Sequence, residues 1–187
     1  GPAVRNMSTT HLLDRVAAAH GQVCHEVPVG FKWISAKMAE TGAVIGGESS
    51  GGLTVRGHIP GKDGVYAGSL LVEAVAASGK RLSELYADIV ARYGELVMVE
   101  NAYGFTSERR TELEERIFGA HDLPAFAHDV ARVSWEDGCK VYFICGGWVT
   151  IRFSGTEPLL RVFAEMPTGD EARVTAAAVA SHYGLDA

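Results

Sequence analysis

Residues 148–165, WVTIRFSGTEPLLRVFAE, contain two β-rich runs on either side of a short polar loop. The apolar, β-branched and aromatic residues of both runs predict strands. The loop between them carries Ser154, Gly155 and Thr156. Two hydroxyl groups, beside a glycine that lets backbone N–H groups approach closely, make a suitable cradle for an anion.

Two arginines bracket this loop, Arg152 before it and Arg161 after it. Their forked guanidinium groups match the oxygens of a phosphate. A tight β-turn with a surface salt bridge from Glu157 is the alternative explanation, but two arginines around Ser-Gly-Thr favour phosphate binding. The predicted phosphate-binding residues are Arg152, Ser154, Gly155, Thr156 and Arg161.

The rest of the C-terminal half fits around this hairpin. Further strands are predicted at 95–105, 130–135 and 140–145, with hairpin turns at Asp137-Gly138 and Gly146-Gly147. Helices are predicted at 107–118 and from a cap at Asp170 to Tyr183. This order predicts an α+β arrangement, an antiparallel sheet with helices on one face.

The N-terminal half alternates helices with short strands, which predicts an α/β domain. Helices are expected at 8–21, 31–40, 65–78 and 82–93, and strands at 22–27 and 43–45. The apolar, alanine-rich helix at 65–78 is expected to face the core. We place the two domains at residues 1–94 and 95–187.

A glycine-rich loop, Gly46–Gly52, follows the predicted strand that ends at Ile45. Ligands of α/β sheets sit beyond strand ends, so the position suits a binding site. Glu48 can accept two sugar hydroxyl protons and Ser50 can donate or accept beside it, which predicts a sugar clamp. A flexible glycine-rich turn explains the loop equally well when it is considered alone.

The segment after this loop carries two weaker candidates, His58 and Lys62. Either side chain could meet a phosphate or a transferring proton, as a supporting acid or base. A lone lysine near a helix start is more often exposed, and a lone histidine is more often structural. Both alternatives remain open at this point.

Composition excludes several classes of function. A net charge of -6 disfavours non-specific nucleic-acid binding, which needs a basic surface. Apolar runs are too short to cross a membrane and no leader opens the chain, so a cytoplasmic protein without membrane association is expected. The three cysteines lack paired-ligand spacing, so we predict reduced thiols and no metal site.

Together these motifs resemble the α-D-phosphohexomutase superfamily, and most closely its bacterial-type phosphoglucomutases. The resemblance rests on 152–158 with Arg161, on the G-E-x-S-G-G form of 47–52, and on 57–64. The turn Val29-Gly30-Phe31-Lys32 resembles the family's G-F-K turn, which implies substrate contacts from Gly30 and Lys32. One departure is Ser49, where the glucomutase branch usually has Glu; it flanks the sugar-contacting positions.

The resemblance implies a partial three-layer α/β third domain without its first helix, followed by a complete fourth domain. It implies interconversion of glucose 1-phosphate and glucose 6-phosphate through a bisphosphorylated sugar. The catalytic phosphoserine and the Mg²⁺ site are expected in missing N-terminal domains, which would be partners of this chain. Mg²⁺ and glucose 1,6-bisphosphate are thus expected cofactors of the parent enzyme, with none bound by this chain alone.

Two kinds of protein are compatible with these expectations. The first is an enzyme fragment, inactive alone, from a phosphoglucomutase or alternatively from a phosphomannomutase or phosphoglucosamine mutase. The second is a stand-alone module that binds a phosphorylated hexose without catalysis. A fragment is favoured because the resemblance implies a third domain that begins part-way through its fold.

Overall fold

The structure is a computed structural model that describes residues 1–185. The chain divides into two compact units, Gly1–Glu95 and a second that begins at Leu96, and each is described by itself. Within residues 1–185 no helix has the combination of length and apolar character that a membrane crossing requires.

The first unit is a mixed sheet with helices. In chain order it contains β1 (Ala3–Asn6), α1 (Leu12–Ala19), β2 (Cys24–Val27), α2 (Phe31–Thr41), β3 (Ile45–Gly47), β4 (Leu53–Val55), α3 (Gly64–Ser78) and α4 (Leu82–Tyr93). The strand order is β2-β1-β3-β4. Strand β1 is parallel to β2 and β3, whereas β4 is antiparallel to β3. The α/β class predicted for this half is confirmed.

The central strand β1 was not predicted, and the helix expected at 8–21 begins only at Leu12. The cause is a turn centred on Asn6. Its Oδ1 accepts hydrogen bonds from the Ser8 backbone N–H at 3.0 Å and the Thr9 hydroxyl at 2.8 Å. A side chain that bonds its own neighbouring backbone competes with helix formation, so these residues stay outside the helix.

Helices α1 and α2 lie on opposite faces of this sheet. Val4 of β1 packs into a buried cluster with Ile34 and Met38 of α2. The next residue, Arg5, points the other way because side chains alternate along a strand. It forms an ion pair with Asp14 of α1 at 2.6 Å. One face of the sheet is thus covered by apolar contacts, and on the other face a buried arginine pairs with a partly exposed aspartate.

Helix α3 does not face the core as expected. Only Ala67 is buried among its residues, and Val65, Leu71 and Val72 are 85%, 52% and 69% exposed. Helix α4 also exposes large apolar side chains, namely Leu82, Tyr86 and Ile89. Helices that are apolar on most sides are normally covered, so this surface differs from that of an ordinary soluble domain.

The second unit is an antiparallel sheet with helices. It contains β5 (Val97–Gly104), α5 (Ser107–Glu114), a π-helical turn (Glu115–Gly119), β6 (Val130–Ser134), β7 (Cys139–Phe143), β8 (Trp148–Phe153), β9 (Leu159–Met166) and α6 (Gly169–Tyr183). The strand order is β5-β9-β8-β7-β6. All neighbouring strands run antiparallel. The predicted α+β arrangement is confirmed.

One buried cluster joins the helices to a single face of this sheet. Ile151 of β8 and Val162 of β9 pack in it with Leu113 of α5 and Val179 of α6. The start of α6 differs from the prediction, because Thr168 and not Asp170 caps it. The Thr168 hydroxyl accepts a hydrogen bond from the Glu171 N–H at 3.3 Å.

Candidate functional site

Three loops follow the parallel strands β1, β2 and β3 in the first unit. Because the carboxyl ends of parallel strands meet at one edge of a sheet, these loops lie at the same edge. They comprise residues 7–11, 28–30 and 48–52. The predicted Gly30 turn and the predicted sugar loop are thus brought to one edge, together with a segment that the sequence did not indicate.

Glu48 is the first residue after β3, and its side chain is only 7% exposed. Its Oε1 accepts a hydrogen bond from the Asn6 side-chain amide at 3.2 Å. Its Oε2 lies 3.1 Å from Lys62 Nζ. The loop is closed by a hydrogen bond from the Glu48 N–H to the Gly52 carbonyl at 2.9 Å. A carboxylate fixed in this way still has lone pairs for sugar hydroxyl groups.

Sequence reasoning missed two residues that support this loop, Asn6 and Thr9. Both are buried. The Thr9 hydroxyl donates to Asn6 Oδ1 at 2.8 Å and accepts from the Ser49 N–H at 2.9 Å, which ties the sugar loop to the end of β1. Thr9 belongs to the run Ser8-Thr9-Thr10, which the sequence pattern assigned to the start of the helix predicted at 8–21, and Asn6 lies just before that run.

The other predicted sugar-site residues occupy more exposed positions at this edge. Ser50 lies at the exposed tip of the loop. Gly30 is the N-cap residue of α2. Lys32, in the first turn of that helix, places Nζ 4.8 Å from the centroid of the Trp33 ring. Their roles in substrate binding stay predictions.

Lys62 reaches the sugar loop by crossing Gly52. A Cβ atom at Gly52 would lie 2.6 Å from Lys62 Cδ, so a larger residue would force the lysine stem aside. The Lys62 side chain is 54% exposed. An ion pair with one exposed member is weak and easily exchanged. Lys62 is therefore a displaceable partner of Glu48.

His58, the companion candidate, lies in the loop before α3. Its Nε2 is 3.0 Å from Asp63 Oδ2, and its ring stacks on Tyr66 with 4.0 Å between centroids. Asp63 caps α3 by accepting from the Val65 and Tyr66 N–H groups at 3.0 Å each. The backbone hydrogen bond from Tyr66 and the bond with His58 lower the pKa of Asp63. These contacts suit a structural His58, and its acid–base role stays a prediction.

The predicted phosphate loop closes the hairpin between β8 and β9 in the second unit. The Ser154 N–H donates to the Leu159 carbonyl at 2.8 Å. The Ser154 hydroxyl accepts from the N–H groups of Thr156 at 3.4 Å and Glu157 at 3.3 Å. Its own O–H can still donate, and Gly155 and Thr156 are exposed at the tip. The loop is thus shaped by Ser154 and open to a ligand beyond it.

Arg152 and Arg161 occupy directly paired positions on β8 and β9, so their side chains lie on one face of the sheet. Acidic side chains hold both guanidinium groups. Arg152 Nε is 3.0 Å from Asp137 Oδ1. Arg161 is 3.2 Å from Glu100 Oε1 and 2.8 Å from Glu157 Oε2. These carboxylates offset the repulsion between two neighbouring positive charges.

The turn between β6 and β7 packs against Arg152 and pairs with its guanidinium group. Gly138 in this turn has φ 86°, which disfavours any residue with a side chain. A Cβ atom there would lie 2.7 Å from the Ile151 carbonyl oxygen and 3.1 Å from Arg152 Cβ. The backbone of the turn therefore packs directly against the arginine, while Asp137 beside it holds the guanidinium.

The geometry of the two loops suits ligand binding. Within residues 1–185 no three His, Cys, Asp or Glu side chains gather in a way that could hold a metal ion. These residues therefore do not fit the Mg²⁺ ion that the resemblance implies. Glu48 is suited to hydroxyl groups. The loop between Arg152 and Arg161 is suited to phosphate oxygens.

Two domain families match the sequence. Residues 1–93 match the family model described as phosphoglucomutase/phosphomannomutase, alpha/beta/alpha domain III. Residues 106–182 match phosphoglucomutase/phosphomannomutase, C-terminal domain.

Curated relatives match over most of this chain but only over part of their own length. A phosphoglucomutase/phosphomannomutase from Thermococcus kodakarensis is 31% identical over 92% of this chain and 36% of the relative. A phosphoglucosamine mutase from Solibacter usitatus is 36% identical over 83% of this chain and 30% of the relative. This chain thus spans about a third of the length of the curated relatives that it matches.

Solved structures show the same fold. A putative phosphomannomutase from Thermus thermophilus is 30% identical, with a TM-score of 0.74, over 97% of this chain and 36% of that one. An Aspergillus fumigatus N-acetylphosphoglucosamine mutase in complex with GlcNAc-6P and magnesium is 16% identical, with a TM-score of 0.60, over 97% and 38%. Another structure of that enzyme, in complex with glucose 1,6-bisphosphate, has a TM-score of 0.62 at 16% identity over 97% and 38%.

Proposed function

This chain belongs to the phosphoglucomutase/phosphomannomutase family, and from that membership we propose that it is the C-terminal, ligand-binding part of a mutase that interconverts glucose 1-phosphate and glucose 6-phosphate. Residues 1–93 correspond to the third domain of the family and 106–182 to its C-terminal domain. In this proposal the chain supplies sugar and phosphate binding, and the phosphoserine lies elsewhere in the protein.

The arrangement of Glu48 is the observation that carries the proposal. A carboxylate that is 7% exposed and accepts from Asn6 and Lys62 can take further hydrogen bonds without a large desolvation cost. Adjacent hydroxyl groups of a hexose are ligands of this kind. The residue stands at the sheet edge where α/β proteins bind their substrates.

The phosphate loop completes the binding function. Two guanidinium groups on one face, beside the Ser154–Thr156 turn, can hold a phosphate dianion by charge-assisted hydrogen bonds. Such a cradle would bind a phosphate group whichever carbon of the sugar carries it, and the proposed reaction through a bisphosphorylated sugar requires this. Because positioning dominates phosphoryl transfer, such contacts affect rate as well as affinity.

Glucose is the proposed sugar, and two other sugars have specific support. The segment Gly57–Gly64 resembles the glucomutase branch. The relatives include a phosphoglucosamine mutase and a protein that carries both glucomutase and mannomutase names. Mannose and glucosamine phosphates are therefore the alternative substrates. A stand-alone phosphosugar-binding module is the alternative to an enzyme.

Cofactor use and activity follow from the family. An Aspergillus relative binds magnesium in one structure and glucose 1,6-bisphosphate in another. We expect the proposed mutase to use both Mg²⁺ and glucose 1,6-bisphosphate, with Mg²⁺ held by residues outside this chain. We also expect that mutase to be a cytoplasmic protein. This chain alone should not convert glucose 1-phosphate when a trace of glucose 1,6-bisphosphate and Mg²⁺ are supplied. Conversion above background that persists after repurification would contradict this proposal.

Phosphate binding is tested by titrating the ¹⁵N-labelled chain with inorganic phosphate. We expect weak, salt-sensitive binding that shifts the amide signals of Ser154, Gly155 and Thr156. Arg152→Lys should weaken binding because it loses the fork, and Arg152→Ala should weaken it more. Arg173→Ala is the matched control, since Arg173 is 66% exposed and pairs with the exposed Asp170. If phosphate shifts amide signals in other parts of the chain while those of Gly155 and Thr156 do not change, the phosphate site is refuted.

Sugar binding is tested with the 6-phosphates of glucose, mannose and glucosamine on the same labelled chain. All three should shift the phosphate loop, and the cognate sugar should add shifts in 48–52. Inorganic phosphate, which has no hydroxyl array, is the control for that second set of shifts. A sugar phosphate that moves only the phosphate loop would remove Glu48 from the site.

A further inference from the structure

We propose that Asn6 is a positioning residue for Glu48, one that fixes the sugar-binding carboxylate in a single orientation. This inference rests on the proposed function of the Glu48 loop. The contact is direct, because Asn6 Nδ2 donates to Glu48 Oε1 at 3.2 Å. Asn6 is only 3% exposed and is the last residue of β1, where it pairs with Val27 of β2.

The orientation of the Asn6 amide is determined by its other contacts. Its Oδ1 accepts from the Ser8 N–H at 3.0 Å and from the Thr9 hydroxyl at 2.8 Å. With the oxygen engaged by two donors, the NH₂ group must face the Glu48 carboxylate. The Thr9 hydroxyl in turn accepts from the Ser49 N–H at 2.9 Å, which holds the backbone beside Glu48.

The two partners of Glu48 therefore have different roles. Asn6 is buried and locked, whereas Lys62 is 54% exposed and can be exchanged. A sugar hydroxyl can replace Lys62 at Oε2 while Asn6 keeps Oε1 in place. Preorganisation of this kind strengthens binding because less freedom is lost when the ligand arrives.

The charged groups around this contact define what a pH test will report. Lys62 faces Glu48 from the loop before α3. Arg5 donates to the Asn6 carbonyl at 3.3 Å. It is itself paired with Asp14 and Glu26. Burial disfavours a charge on Arg5, but its bonds with Asp14 and Glu26 outweigh this effect and raise its pKa, so Arg5 stays charged throughout the range used.

The test is Asn6→Asp, which keeps the Oδ1 acceptor and replaces only the N–H donor. The new carboxylate faces Glu48, and two facing carboxylates repel each other unless they share a proton. Titration of the ¹⁵N-labelled chain with glucose 6-phosphate should show affinity at 48–52 reduced about tenfold or more at pH 7.5. The affinity of Asn6→Asp divided by that of wild type at the same pH should recover toward one at pH 5.5. This ratio removes the effect of protonation of the ligand itself, which is the same for both proteins.

Thr9→Val is the second variant, because it removes the lock on the Asn6 amide without adding charge. It should weaken binding less than Asn6→Asp does, and equally at both pH values. Unchanged amide signals of Val4, Val27 and Ile34, which belong to the core of the same unit, serve as the folding control. If wild type shows no glucose 6-phosphate shifts at 48–52, the proposed function fails. If wild type binds and Asn6→Asp matches it, or loses affinity equally at both pH values, the positioning role of Asn6 is refuted.

Discussion

Gly138→Ala should destabilise the second unit by about 2–5 kcal/mol and weaken the phosphate loop. A side chain at φ 86° costs about 1–2 kcal/mol in backbone strain. The added methyl group would lie 2.7 Å from the Ile151 carbonyl oxygen and 3.1 Å from Arg152 Cβ. Overpacking against backbone typically adds about 1–3 kcal/mol. Relief of this contact must move the strand that carries Arg152, so phosphate affinity should fall as well.

Gly146→Ala is the matched control for this substitution. Gly146 lies in the neighbouring hairpin turn, between β7 and β8, and has φ 89°, so the backbone strain is the same. No atom lies within 4 Å of its Cβ position, so the steric part is absent. The variant should lose only about 1–2 kcal/mol.

The assay is urea unfolding followed by NMR signals of the β7, β8 and β9 amides, which report on the second unit alone. Phosphate titration at Ser154–Thr156 follows on the folded variants. Gly138→Ala should be less stable than Gly146→Ala by about 1–3 kcal/mol, and only the former should bind phosphate more weakly. Equal losses in both variants would refute the view that the turn supports Arg152.

Three further outcomes follow from the described contacts. In the full-length mutase that we propose, Glu48→Ala should lower kcat/KM by an amount equal to about 2–4 kcal/mol of transition-state free energy, because a buried hydrogen-bonding carboxylate is lost. Near-wild-type kinetics would exclude Glu48 from the site. The pKa of Asp63 is lowered in the folded chain. The hydrogen bonds by which Asp63 caps α3 should therefore be fully present above the ordinary carboxyl pKa, and they should be lost as the pH falls through the lowered pKa. A pH titration that follows the Val65 and Tyr66 amide signals checks this, and the pH-dependent shift should be lost in Asp63→Asn. Alkylation at pH 8 should modify the exposed Cys145 well before Cys24 and Cys139, since burial raises the pKa of both to about 12; peptide mapping that finds Cys139 modified first would contradict the burial.

Much of the fold was accessible from local sequence patterns. The three strands around Asp137-Gly138 and Gly146-Gly147 alternate apolar residues and end at glycine turns, and the structure contains all three. Strand β1 was not accessible in this way. Its sequence, Ala-Val-Arg-Asn, has neither alternation nor an apolar run. A charged residue, Arg5, occupies a buried position of this strand, where ion pairs with Asp14 and Glu26 stabilise it.

The candidate site was accessible where one loop carries the chemistry, and inaccessible where distant segments meet. Glu48 was predicted as a sugar ligand from its own loop, and that role stays a prediction. Asn6 lies 42 positions earlier in the chain and acquires its role only when β1 pairs with β3. The exposure of α3 was also missed. An apolar helix predicts burial, but its sequence does not show whether another part of the described chain packs against it.

The two arginines of the phosphate loop already have anionic partners when a ligand arrives. Asp137 contacts Arg152, and Glu100 and Glu157 contact Arg161. An incoming phosphate therefore competes with carboxylates, and its binding is an exchange of one anion for another. Competition lowers the equilibrium affinity, but it also gives the arginines replacement partners as soon as the ligand departs. In the mutase reaction proposed above, the intermediate must turn over between two phosphoryl transfers, so rapid release would matter as much as tight capture.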